Sequence, residues 1–118
     1  MTAFPAENQT ADEDGPWSFR VQIPEDSPFF GGHFPGNPIL PGVAQLALCS
    51  QLIQAALHES TQLTGIRTLR FKAPALPGDV LQVGLRRVPR PGELAVTIRR
   101  GGDEIANGAL LIQEGSVS

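Results

Sequence analysis

Between Trp17 and Ile23 the chain alternates. Trp17, Phe19, Val21 and Ile23 are apolar, and Ser18, Arg20 and Gln22 between them are polar. That period of two predicts a half-buried strand, ended by Pro24. The pattern changes at Val43, where "VAQLALCSQLIQAALHE" runs to Glu59 without Gly or Pro and predicts a helix. Pro41 and Gly42 punctuate its start, Ser60 and Thr61 its end. Leu46, Cys49, Leu52, Ile53, Ala56 and Leu57 form a wide apolar stripe. Apart from Glu59, this stretch has no carboxylate or fixed positive charge, so the helix is expected to be covered on most sides.

Only strand patterns follow. "TGIRTLRFKAP" is interrupted at Pro74, and "DVLQVGLRRV" places Leu81, Val83 and Leu85 on one face. "GELAVTIRR" alternates through Leu94, Val96 and Ile98, and "EIANGALLIQE" comes last. "LPGD" and "PRPGE" supply turns. One helix followed by strands on short turns predicts an α+β fold, a single antiparallel sheet curled around the helix. Residues 1–16 are polar and acidic, without periodicity, and read as a disordered tail ahead of one domain over 17–118.

Composition narrows the function classes. At 118 residues, 41% hydrophobic and 18% charged, the chain is globular and long enough for a core. A net charge of −3 argues against nucleic acid, which calls for a basic stripe. No run approaches the roughly 20 apolar residues of a membrane span. The start lacks the features of a signal peptide, and Cys49 is a lone cysteine, so the cytoplasm is expected. Cys49 itself reads as a buried, inert thiol. With His33 and His58 the only histidines, well separated, no metal site is expected, and no phosphate-binding glycine loop follows a strand.

The unusual segment is "GGHFPGNPILPGVAQLAL", Gly31 to Leu48. Pro35, Pro38 and Pro41 restrict the backbone around His33. Gly42 at the helix start leaves backbone N–H groups unpartnered, at the positive end of the helix dipole and free of a Cβ. A carbonyl oxygen placed there is polarised, and a fixed imidazole facing it suits removal of a proton from the adjacent carbon. A hydrogen-bonded structural histidine in a rigid loop fits the same residues. His58 fits a helix C-terminal dipole partner or a surface residue.

"GGHFPGNPILPGV" resembles the active-site loop of the FabZ-type 3-hydroxyacyl-acyl carrier protein dehydratases, and "GIRTLRFKAPALPGD" resembles that family's strand and turn after the central helix. The resemblance implies a hot-dog fold and an oligomer, a homodimer or larger, with active sites between subunits. It also implies a tunnel for the phosphopantetheine arm of an acyl carrier protein, and no further cofactor. His33 then matches the base, Gly42 and Val43 the backbone clamp on the thioester carbonyl, and Phe34 and Pro35 the loop around it. Gln51 falls where the family also has a helix glutamine, and with Gln45 and the Ala47 position it is expected to contact substrate.

One position departs. The family acid, Glu or Asp, stands fourteen residues after the histidine, and here that position is Ala47. Glu59 is twelve residues further on, roughly 18 Å by helical rise. "PGVAQLAL" resembles dehydratase-like proteins of aryl-polyene and similar polyketide pathways, in which the acid is often not Glu. Gln45 fits a hydrogen bond to water or a substrate hydroxyl, and equally a helix-start side chain capping backbone or facing solvent; an amide has no proton to give. Three functions remain open: a dehydratase working through His33, a heteromeric subunit whose partner brings the acid, and an acyl-carrier binding module. A hot-dog thioesterase would need a carboxylate where Ala47 stands. For docking the acidic carrier protein, Arg86, Arg87, Arg90, Arg99 and Arg100 form one candidate patch, and Arg67, Arg70 and Lys72 another; a solvated sheet face fits both.

Overall fold

The computed structural model describes residues 4–26, 40 and 42–114. Its elements are β1 (Ala6–Asn8), β2 (Trp17–Gln22), α1 (Gly42–Ala56), β3 (Gln62–Phe71), β4 (Val80–Arg87), β5 (Glu93–Arg100) and β6 (Asp103–Gln113). The strands form one six-stranded sheet in the order β1-β2-β4-β5-β6-β3, with every neighbouring pair antiparallel. This sheet, with its single helix, is the hot-dog fold. Short turns explain the β4-β5-β6 meander; Gly92 and Gly101 take φ of +73° and +61° at its two turns, where a Cβ would be strained.

The alternation read from the chain becomes the inner face of the sheet. Phe19 and Val21 of β2, Leu81, Val83 and Leu85 of β4, and Leu94, Val96 and Ile98 of β5 are all buried. In β6 the period breaks, since Ile105 and Ala106 are both buried in succession. The β5–β6 register shift between Ile98 and Arg99 accounts for this, because one extra residue turns the following side chain to the same face. Strand β3 lies at the sheet edge and pairs only with β6, through two register irregularities that interrupt its alternation.

Helix α1 lays Ala44, Gln45, Leu48, Cys49, Leu52 and Ile53 against this face. The buried stripe is thus rotated from the expected one: Leu46, Ala56 and Leu57 pack only partly, at its margin. Among the described residues cover is one-sided, for Val43 and Ala47 are exposed. The helix also stops at Ala56, short of the expected Glu59. Leu57 N–H still reaches Ile53 O, but His58 Nδ1 then accepts the Ser60 N–H and contacts its hydroxyl, a local turn that competes with helix. His58 is therefore an exposed turn residue rather than a helix-end dipole partner.

Residues 4–16 correct the expectation of a disordered tail. Phe4 is buried in the core and β1 pairs with β2. Thr10 Oγ1 accepts the Ser18 N–H, and the Trp17 indole N–H donates to Glu13 O. The segment lacks periodicity because a three-residue edge strand with all its side chains exposed has no apolar face to display.

Candidate active site at the start of α1

Helix α1 opens at Gly42 with no acidic residue in its first turn, so no carboxylate neutralises its positive end. Beside it is a cavity of about 360 Å³ lined by Leu40, Gly42, Gln45, Phe71, Lys72, Ala73 and Pro74. The chain reaches it from two directions: Leu40 and α1 from one, the end of β3 and the stretch after it from the other. Leu40 is tied across by donating its N–H to Ala75 O at 2.7 Å. A Cβ on Gly42 would come within 3.2 Å of the Phe71 ring, so glycine is what lets the helix start and that ring meet.

Among the described lining residues none is an acid or a histidine. Lys72 is the only ionisable one, and its ammonium is engaged by Glu104. That hydrogen bond, with a second from Asn107, holds the Glu104 carboxyl below the usual carboxylate range. His33, Phe34 and Pro35 lie outside the described residues.

The structure separates the remaining candidates. Gly42 and Gln45 line the cavity, whereas Val43 and Ala47, one turn apart, share the exposed face. Gln45 does not face solvent: it is 4% exposed, and its Nε2 donates to Leu40 O at 3.3 Å. Its Oε1 is buried without a partner. Gln51 is corrected from a substrate-binding residue to a structural one. Its Oε1 accepts the Phe4 N–H and its Nε2 donates to Phe4 O, both at 2.8 Å. Phe71, Ala73 and Pro74 join the cavity without a signal of their own in the sequence, since nothing local to the "FKAP" stretch tells that it folds against the helix start.

The basic residues are also sorted. Arg67 and Arg90 pair with Glu93, Arg87 with Glu114, Arg99 and Lys72 with Glu104, and Arg100 with Asp79. Arg70 and Arg86 are exposed and have no ion pair among the described residues. Arg70 immediately precedes the cavity residue Phe71.

Residues 7–109 match the ApeI-like family, described as ApeI dehydratase. This chain belongs to that family. It is 36% identical over 99 residues to the 3-hydroxyacyl-[acyl-carrier-protein] dehydratase FabZ of Alkaliphilus metalliredigens, a match covering 78% of this chain and 61% of the relative. FabZ of Myxococcus xanthus is 38% identical over 76 residues, 57% of this chain and 50% of the relative. The chain thus spans half to about three-fifths of the length of these curated relatives. The solved dehydratase heterocomplex ApeI:P from Xenorhabdus doucetiae has the same fold, with a TM-score of 0.75 at 20% identity over 93% of this chain and 99% of that one. No helix among the described residues is long and apolar enough to cross a membrane.

Proposed function

We propose that this chain is a 3-hydroxyacyl thioester dehydratase acting on substrate carried by the phosphopantetheine of an acyl carrier protein. The observation that carries it is the start of α1, where Gly42, without a Cβ and with no acid in the first helical turn, lines a cavity in a chain of the ApeI-like family. The thioester carbonyl accepts from the Gly42 and Val43 backbone N–H groups, which draws charge toward its oxygen and acidifies the α-carbon. His33 removes the α-proton. The electron pair forms the C2–C3 double bond as the C3–O bond breaks, and the departing hydroxide takes up a proton to leave as water. No further cofactor belongs to this proposal.

The proton for the hydroxide is the incomplete part. Ala47 offers a methyl group, and a general acid typically contributes about 10²–10⁴ in rate. Two sources are compatible with the chain: the imidazolium formed on His33, relayed through water, or an acid on the helix of a partner subunit. The second is favoured by Ala47 lying exposed beside Val43, on a face of α1 that none of the described residues covers. It is also favoured by the similarity to a dehydratase whose solved form is a heterocomplex. An oligomer in which a related subunit, or a second copy, covers this face therefore belongs to the proposal. A thioesterase is disfavoured, since no carboxylate lines the described cavity to activate water.

The test is conversion of a 3-hydroxyacyl thioester to its 2-enoyl product by the purified chain, beside His33→Ala and Ala47→Glu. Turnover lost in His33→Ala supports the proposal, and Ala47→Glu should then raise the rate roughly 10²-fold or more. Activity appearing only with Ala47→Glu points to the subunit that borrows its acid. No dehydration by any of the three, with or without an ApeI-type partner, overturns it.

A further inference from the structure

A second cavity, about 560 Å³, lies at the opposite end of α1 among Trp17, His58, Arg87 and Glu114. Arg87 there sits over the Trp17 ring and pairs with Glu114, and His58 is turned to Ser60, while Glu13 and Asp14 complete the rim and nothing points to a ligand. The observation left unexplained is at the other end. Gln45 is one of two described side chains with a buried polar atom and no hydrogen bond to it, and it lines the candidate active-site cavity.

An unpartnered carbonyl oxygen taken out of water costs about 1–3 kcal/mol, yet apolar residues precede and follow Gln45 in the buried stripe without such a cost. Its Nε2 donates to Leu40 O, and Oε1 is left as an unpartnered acceptor in a residue that lines a mostly apolar cavity. The terminal torsion of glutamine is soft and the Leu40 bond is long at 3.3 Å, so the carboxamide can give up that bond and turn its oxygen to a donor that enters. Lys72 does not serve as that donor, because Glu104 holds it.

We infer that Gln45 is the specificity residue that reads the 3-hydroxyl group, its Oε1 accepting the hydroxyl proton of the bound acyl thioester. The inference rests on the dehydratase proposal for the identity of the ligand. Gly42 and Gln45 are three residues apart on one helix, which places their side-chain positions about 5–6 Å from each other. A carbonyl held at the Gly42 N–H thus leaves carbon 3 and its hydroxyl, two bonds along the acyl chain from the carbonyl carbon, within reach of Gln45. A hydrogen bond accepted from the hydroxyl leaves that oxygen's lone pairs free for the proton it must take on departure. Plain acyl chains, lacking the hydroxyl, leave Oε1 stranded, and a site with a stranded buried acceptor discriminates against them.

The experiment compares two pantetheine amides, a 3-hydroxyacyl amide and its 3-deoxy counterpart, whose α-protons are not acidic enough for elimination. Binding of each is measured calorimetrically to the native chain and to Gln45→Met, which keeps length and apolar volume but loses the acceptor. The native chain should bind the hydroxylated amide about tenfold more tightly, and Gln45→Met should bring the two within about twofold of each other. A merely structural Gln45, clamping Leu40, would weaken both ligands equally in Gln45→Met and keep their ratio, which overturns the inference. So does a native ratio near one, a result that needs no folded variant. Dehydration of the thioester with a native ratio of one removes the inference and leaves the function. Hydroxyl-selective binding without dehydration under any condition removes the function and leaves the assignment of Gln45.

Discussion

Gln51, in the middle of α1, holds both backbone polar groups of Phe4, accepting its N–H and donating to its carbonyl at 2.8 Å each. One side chain thereby fastens the first described residue over the helix. Gln51→Leu should cost about 1–3 kcal/mol in chemical denaturation, since it strips partners from two part-buried backbone groups. Dehydration kinetics below the transition should be unaltered. A large drop in kcat with unchanged stability would return Gln51 to the substrate.

Gly42 and Phe71 test the carbonyl clamp. In Gly42→Ala the added methyl meets the Phe71 ring at 3.2 Å, and that ring is 46% exposed and free to shift. Replacing glycine in a helix by alanine is itself favourable by about 0.5–1 kcal/mol, so the melting temperature should stay level or rise. Turnover should fall roughly ten- to a hundredfold, because the methyl screens the N–H groups that hold the carbonyl. Full activity in a stable Gly42→Ala would remove the clamp from the mechanism.

Arg70 and Arg86 separate the two candidate docking patches. Both are exposed and without an ion pair among the described residues, but only Arg70 adjoins the cavity, through Phe71. Arg70→Glu should raise KM for an acyl carrier protein substrate roughly two- to tenfold and leave a short pantetheine thioester unaffected. Arg86→Glu, on β4, should change neither. Equal losses on both substrates would mean that Arg70 acts on folding or chemistry rather than on docking.

Cys49 is 2% exposed, and burial pushes its thiol up to about 12 from an ordinary 9.0. Alkylation at pH 8 should therefore be slow in the native chain and fast in denaturant. The raised value also fixes a sign. Below about pH 9 both folded and unfolded thiols are protonated and stability is unaffected by this group; from there to about 12 the unfolded chain loses the proton first, so stability falls as pH rises. Urea titrations across that interval should decline less steeply in Cys49→Ala than in the native chain.

Much of this architecture is legible in the order of residues alone. Period-two alternation in β2, β4 and β5 and an uninterrupted run of helix formers in α1 are local properties, because each strand or helix buries a face whose spacing its own geometry dictates. The proline and glycine loop ahead of α1 likewise marks the family without any fold in hand. What tertiary structure decided are relations between distant segments. Gln45 and Ala47 are two residues apart, yet one lines the cavity and the other faces outward, since the sheet settles which side of an evenly uncharged helix is buried. Gln51 looked like a substrate ligand until Phe4, forty-seven positions away, was found against it. Arginines that look alike in sequence differ because acids elsewhere in the chain pair with some of them and leave Arg20, Arg70 and Arg86 without an ion pair among the described residues. Each of these outcomes depends on what packs opposite, and a contact partner far along the chain leaves no periodic mark on the residues beside it.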